Sequence, residues 1–299
     1  NIGINYSGNI TDSNFFSEVG KKIHNTHNGV DWIMSEKVCL VFNEYMDEGN
    51  YGSIALCTRR DMQTGEVTLV FAKVPHQFRT NKINLLWEAC VQILVRNTLE
   101  KYGFNNGAPK VRDIFKLSDG RICYTMDIIL GAKPLDTRLR GAFDKEFDYM
   151  IVESIIQVAS MISILEIELG FNHRDLHAAN LLCRPVTSVE RKLIVWDENP
   201  NSTKMDNAKS FNRYEIQLNS AFEFTLIDFG FVCFGKCPKG CCPPFFLNRK
   251  IKGDDICPKP GRDMFLFLAF LLAEFNSKMK TSLLRYFKEW LDVKLGIEL

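Results

Sequence analysis

Four short stretches carry residue types that could do chemistry together. Asn172-His173-Arg174-Asp175-Leu176-His177-Ala178-Ala179-Asn180 puts a carboxylate and a carboxamide on one loop. Glu223-Phe224-Thr225-Leu226-Ile227-Asp228-Phe229-Gly230 is a β-prone run that ends in another carboxylate and a glycine. Far upstream, Gly49-Asn50-Tyr51-Gly52-Ser53-Ile54 lies between two strand-like segments. Lys73 follows on the next one, in Val70-Phe71-Ala72-Lys73-Val74. Moving a phosphoryl group requires an acceptor hydroxyl held in line and cations that neutralise the developing charge. Asp175 suits the proton acceptor, and Asn180 and Asp228 suit ligands for magnesium or manganese. Gly49 and Gly52 allow backbone amides to approach the phosphates of ATP, Tyr51 at the tip would cover the terminal phosphate, and Ile54 follows on the strand. A lysine with apolar neighbours is costly to bury without an anion. Beside the phosphates, its expected partner is Glu88, acidic within Leu86-Trp87-Glu88-Ala89-Cys90, in preference to Glu100 at the far end of the same segment.

These residues need a scaffold, and the apolar spacing outlines one. From Lys37 to about Ile129 the runs KVCLVF, SIALCT, EVTLVFAKV and RICYTMDII read as strands, with one helix over 84–101. From Asp144 to Leu169 the spacing of Phe147, Met150, Ile151, Ile155, Val158, Ile162, Leu165 and Leu169 fits a long helix, with further helices behind it. The expectation is an α+β chain with one domain over 37–299. It comprises a small antiparallel sheet with one helix (37–130) and a mainly helical half (131–299), with a cleft between them for a nucleotide. An insert occupies about 184–222, and residues 1–36 read as an N-terminal extension. No solenoid-type repeat is present.

Composition narrows the setting. The 299 residues are 46% hydrophobic and 24% charged, with a formal net charge of +1. This argues against whole-surface attraction to nucleic acid or acidic membranes. The apolar run Met264–Phe275 is too short to span a bilayer, and Asn1–Asn14 holds no hydrophobic signal core. Five of the ten cysteines, Cys39, Cys57, Cys90, Cys123 and Cys183, sit singly in apolar segments as buried thiols do. A reducing compartment, cytoplasm or nucleus, is the expected location. Cys233, Cys237, Cys241, Cys242 and Cys257 follow the second carboxylate motif with spacing unlike a zinc ribbon, so separate thiols are expected and zinc is the second reading.

The run from His173 through Asn180, the Asp228-Phe229-Gly230 triplet, the glycine-rich turn and the strand lysine together resemble the eukaryotic-type protein kinases over roughly Lys37 to Leu284. The texture of Gln157-Val158-Ala159, Phe171 and the His-Arg-Asp-Leu-His run is most similar to the haspin branch or to kinases of large DNA viruses, the latter implying a host-cell location. The resemblance implies a two-lobed fold with ATP between the lobes. It also implies His173 and Arg174 as partners of the catalytic Asp175, Met126 as the gatekeeper, and Asp127 to Ile129 as the hinge that bonds adenine. Asp263 would open a buried central helix and support the catalytic loop. The implied activity is ATP- and magnesium-dependent transfer to protein hydroxyls, serine and threonine favoured over tyrosine.

The sequence also departs from that family. His177 stands where serine/threonine kinases usually have lysine, and Phe71 stands two before Lys73 where alanine is usual. Forty-seven residues separate Asn180 from Asp228, and no Ala-Pro-Glu follows. From Phe231 to Arg262 there is no serine, threonine or tyrosine, so the usual phosphorylation switch is missing and constitutive activity is expected. The same stretch holds seven lysines and arginines against Asp254 and Asp255, a local +5 that favours acidic peptide substrates. Two other readings stay open: a small-molecule kinase of the aminoglycoside-phosphotransferase type, and a pseudokinase scaffold.

Overall fold

The computed structural model describes residues 19, 23–29, 31–48, 52–75, 85–198, 211–234 and 259–295. The first half is a curled sheet with one helix. Its strands are β1 (His24–Asn25), β2 (His27–Asn28), β3 (Trp32–Met34), β4 (Val38–Glu48), β5 (Gly52–Asp61), β6 (Val67–Pro75), β7 (Val111–Lys116) and β8 (Ile122–Asp127), with helix α1 (Leu85–Lys101) after β6. The strand order is β1-β7-β8-β6-β5-β4-β3-β2. β1 pairs in parallel with β7, whereas β2 pairs antiparallel with β3. Only Thr26 separates β1 from β2, so one stretch of chain joins the two ends of the sheet and curls it toward closure. His24–Asn25, His27–Asn28 and Trp32–Met34, read from sequence as part of an extension, are therefore strands of the sheet. His24–Asn28 is polar and too short to show strand periodicity, and its place is set by the strands on either side.

Period-2 alternation fills the inside of the curl. Ile33, Val38, Leu40, Ala55, Cys57, Val70, Ala72, Phe115, Leu117 and Cys123 form one buried cluster. One charge pair is buried with them. Arg59 donates from Nε to Asp113 Oδ2 at 2.7 Å and from a terminal nitrogen to Oδ1 at 3.1 Å. The Thr125 hydroxyl also donates to Asp113, at 3.0 Å. The ring of His24 packs 5.5 Å from that of Phe115, and Thr26 donates to the carbonyl of Lys116 at 2.9 Å.

The second half contains β9 (Lys133–Pro134), α2 (Leu135–Gly141), α3 (Asp144–Leu169), β10 (Phe171–Asn172), β11 (Leu181–Glu198), β12 (Phe211–Leu226), β13 (Cys233–Phe234), α4 (Arg262–Phe275) and α5 (Thr281–Leu295). α3 is the core helix: Phe147, Met150, Ile151, Val158, Ile162 and Leu165 are all buried on it. Lys145–Leu169 is long and apolar enough to cross a membrane, but 61% of its most apolar window is buried inside the fold. That burial accounts for its hydropathy. The helix stops at Gly170, whose left-handed φ of 61° turns the chain and lets its N–H bond the carbonyls of Glu166 and Leu165. The catalytic-type loop begins directly after this stop.

The expected insert is the outer part of one long hairpin. β11 and β12 pair antiparallel from Leu181 opposite Leu226 out to Glu198 opposite Phe211, with an irregularity between Pro185 and Val189. α3 grips this hairpin at the irregularity. The Glu153 carboxylate accepts the backbone N–H groups of Ala221 and Phe222 at 3.0 and 3.1 Å and the Ser220 hydroxyl at 2.7 Å. Gln157 donates to the carbonyl of Phe222 at 2.9 Å. These bonds satisfy backbone groups that the bulge takes out of the ladder.

The buried Arg59–Asp113 pair yields a stability prediction. Asp113→Ala leaves a buried guanidinium without its carboxylate and should cost about 3–5 kcal/mol in urea denaturation. Burial alone would raise the Asp113 carboxyl, but His24, Arg59 and Thr125 outweigh it and hold the group at about 2. A lowered folded-state value means that its stabilisation is full above the ordinary carboxyl value of about 4 and fades as pH falls toward 2. Asp113→Asn should therefore flatten the acid limb of the stability curve in that window, measured by denaturation at stepped pH.

Candidate active site

Lys73 lies in register with Ile54 on β5 and with Tyr124 on β8, so its side chain leaves the face of β6 that looks toward α1. Its ammonium donates to Glu88 Oε1 at 2.6 Å and to Asp228 Oδ1 at 3.1 Å. Burial would pull the Lys73 amine down, but the charges of Glu88 and Asp228 outweigh it and the net direction is up. Burial pushes the Glu88 carboxyl up against the pull of Lys73. Asp228, with the cation beside it, is held below the ordinary carboxylate range despite its own burial. The lysine is thus a fixed cation under working conditions.

The loop around Asp175 is pinned by α4. Asp263, buried in the first turn of that helix, accepts the backbone N–H of His173 at 2.7 Å and of Arg174 at 2.8 Å. Asn172 holds the approach to α4 from the other side, accepting the N–H of Lys259 at 2.6 Å. Arg174 has a φ of 69° and Asp228 a φ of 62°, the only two non-glycine residues in the left-handed region among those described. Each follows or precedes a fixed bond: His173 Nε2 donates to the carbonyl of Ile227 at 3.0 Å, and the N–H of Ile227 bonds the carbonyl of Asn180 at 3.1 Å. Strain of this kind persists only where the surroundings over-determine the backbone. The ring of His173 also packs 5.6 Å from that of Phe229.

Asn180 shows which of its atoms is free for a ligand. Its NH₂ donates to the backbone carbonyl of Asp175 at 2.9 Å and to Asp175 Oδ2 at 3.2 Å, and it lies 3.1 Å from His177 Nε2. The amide nitrogen is therefore spent on the loop, leaving Oδ1 for a cation. Asn180 Oδ1 and the Asp228 carboxylate are oxygen donors of the hard type that would suit magnesium. Among the described residues, no group of three or more His, Cys, Asp or Glu could hold a metal by itself.

Of the residues expected to contact adenine, Ile54, Met126 and Asp127 are half-buried and Ile129 is buried. Phe71 shares the face of β6 with Lys73 and lies opposite Met126. The Asp127 carboxylate is taken by Arg112, and its N–H by the carbonyl of Lys110 at 2.9 Å. Gly52 is needed for packing: a Cβ there would stand 2.6 Å from the carbonyl oxygen of Val74. Gly49 and Tyr51 lie outside the described residues, as do Cys237, Cys241, Cys242 and Cys257. Cys233 is disulfide-bonded, so it is not one of the separate thiols expected from spacing, and its sulfur has no thiolate to give zinc. Cys39, Cys57, Cys90, Cys123 and Cys183 are free, and burial pushes Cys57, Cys90 and Cys183 up to about 12, which makes them inert.

Two residues absent from the motif reading belong to this site. Tyr124 and Gln92 are both buried; the Tyr124 hydroxyl lies within hydrogen-bond reach of Glu88 and of Gln92. A signal for Gln92 was present, since it sits four residues after Glu88 and so one helical turn along the same face.

No protein-family model matches the chain, and no curated protein does. A solved structure that it resembles is the crystal structure of the BubR1 kinase domain, with a TM-score of 0.44 and 13% identity, covering 75% of this chain and 61% of that one. The chain thus spans less than two thirds of that domain's length.

Asp263→Ala would strand the buried N–H groups of His173 and Arg174 without an acceptor. At about 1–3 kcal/mol for each orphaned group, the expected loss is about 2–6 kcal/mol by urea denaturation. Unchanged stability would mean that the loop is held by other contacts.

Proposed function

We propose that this chain is an ATP- and magnesium-dependent protein kinase that transfers the γ-phosphate to protein hydroxyls, with serine and threonine favoured over tyrosine. The observation that carries the reading is the convergence of Lys73, Glu88 and Asp228 within hydrogen-bonding distance, although Lys73 and Asp228 are 155 residues apart in sequence. A core assembled for packing alone has no use for an ammonium set between a buried carboxylate and a partly exposed one, because ordering and partly desolvating these charges costs free energy that apolar side chains would not. Nucleotide binding gives the arrangement a purpose.

In this reading Lys73 orients the phosphates, and Glu88 keeps the lysine from swinging away. Asp228 and Asn180 Oδ1 would hold magnesium, which supplies charge neutralisation on the phosphoryl oxygens. Asp175, anchored through Asn180 and the Asp263-pinned backbone, accepts the proton of the acceptor hydroxyl. Ile54, Phe71, Met126 and Ile129 would line the adenine slot, with Phe71 narrowing it where the resembled family has alanine. The absence of any hydroxyl between Phe231 and Arg262 supports activity without phosphorylation of that segment, and the +5 charge of the stretch supports acidic protein substrates.

Lys73→Met, Asp175→Asn and Asp228→Ala should each lower kcat on casein or acidic peptides by about a hundredfold or more with the thermal midpoint retained. Wild-type rates in any of them would remove that residue from the mechanism. ATP should raise the melting temperature chiefly when magnesium or manganese is present. An equal rise in EDTA would exclude Asp228 and Asn180 as cation ligands. Phosphatase treatment should leave activity unchanged, and phosphoamino-acid analysis should return phosphoserine or phosphothreonine.

A further inference from the structure

The space between α1 and β8 holds a chain of polar contacts that phosphate binding by itself does not require. Glu88 and Gln92 lie one turn apart on α1, and Tyr124 stands on β8 opposite Lys73. Glu88 and Gln92 are 2% exposed and Tyr124 is 1% exposed. The Tyr124 hydroxyl lies 3.1 Å from Glu88 Oε1, the same oxygen that takes the Lys73 ammonium, and 3.3 Å from Gln92 Oε1. Gln92 is itself fixed, since its Nε2 donates to the carbonyl of Pro109 at 2.8 Å and so turns its Oε1 toward the tyrosine. One hydroxyl proton therefore has two acceptors within reach, and the charged carboxylate is the stronger. Burial and the Glu88 charge raise the Tyr124 hydroxyl well above its ordinary value, so it serves as a donor throughout the working pH range.

Bringing these groups together costs desolvation, and apolar side chains of similar size would pack the same space. What the polar set adds is a penalty on movement. If α1 shifted outward, the Tyr124 hydroxyl would be left buried without either of its acceptors, and Glu88 would lose both of its donors, Tyr124 and Lys73. We propose that Tyr124 and Gln92 are positioning residues that lock α1 inward, keeping Glu88 on Lys73 in a chain whose activation segment has no hydroxyl to phosphorylate. The lock rests on the kinase reading above for its purpose, but its mechanical part stands on the hydrogen bonds alone. It replaces an external activating contact with an internal one: the inward state is favoured by bonds already present in the free protein.

The test uses Tyr124→Phe, which removes only the hydroxyl, and Gln92→Leu as an independent variant. Loss of a hydrogen bond to a buried carboxylate should lower kcat/KM for ATP about tenfold in Tyr124→Phe. The thermal midpoint should stay close to wild type, because the ring still fills its site. Amide hydrogen exchange across α1 in the nucleotide-free protein should quicken in both variants, while exchange in β5 and β6 is unchanged. In a Glu88→Gln background, Tyr124→Phe should cost less than about twofold, because the interaction it serves is already broken. Equal costs in both backgrounds, or unaltered α1 exchange in both single variants, would reduce Tyr124 and Gln92 to core filling and overturn the lock. If the wild-type chain transfers no phosphate to any acceptor, the kinase reading fails, while hydrogen exchange measured without nucleotide still decides whether α1 is locked.

Discussion

A single ammonium group governs this structure. Lys73 is half-buried at the junction of the sheet, α1 and the strand leading to Asp228, and a cation in that position is stabilised by anions placed beside it. Two carboxylates meet it, and each comes from a different element: Glu88 from α1 and Asp228 from the end of β12. The relative placement of those elements follows from satisfying one charge. β6 must run beside β8 so that Tyr124 faces the same spot, α1 must present the face bearing Glu88 and Gln92, and β12 must end where the chain can turn through a left-handed residue.

The same economy appears on the other side of the site. The buried Asp263 side chain accepts two backbone N–H groups, and it transmits the position of α4 to the loop that carries Asp175. Glu153 repeats the device on α3, using its carboxylate to hold backbone N–H groups of β12 at the irregularity of the long hairpin. Three buried carboxylates, Glu88, Glu153 and Asp263, thus fix three different segments to helices. Directional bonds to buried charges specify geometry more sharply than apolar contact, and the neighbourhood of Asp228 and Asp175 is where such sharpness has a use.

Much of this could be read in the chain beforehand, for definite physical reasons. The strands β4, β5, β6 and β8 and the helices α1 and α3 announce themselves because their apolar spacing matches period 2 or 3.6 over many residues. Lys73 and Glu88 stood out because a charged residue inside an apolar run demands an explanation, and Asp175, Asn180 and Asp228 because they lie in the His-Arg-Asp and Asp-Phe-Gly runs. Other features gave no such signal. His24–Asn28 is polar and two residues per strand, so only the long-range pairing with β7 and β3 makes it sheet. Tyr124 looked like any aromatic strand residue, and its importance comes from a hydroxyl whose partner lies 36 residues away. Arg59 and Asp113 could not be paired from spacing, being 54 residues apart. The disulfide at Cys233 ran against the reading of separate thiols, because cysteine spacing alone does not fix connectivity.

The closure of the sheet by residues 24–28 bears on how other proteins could engage this half of the molecule. An open sheet offers a row of unpaired backbone groups to any extended chain, and many complexes form by adding a strand there. Here the flanks of β7 and β3 are occupied at that stretch by one continuous piece of the protein's own backbone. At Phe115–Lys116 and Ile33–Met34 those flanks are closed to strand addition by another chain. Loss of the stretch would uncover both flanks at once, so the polar run before β3 is a structural seam.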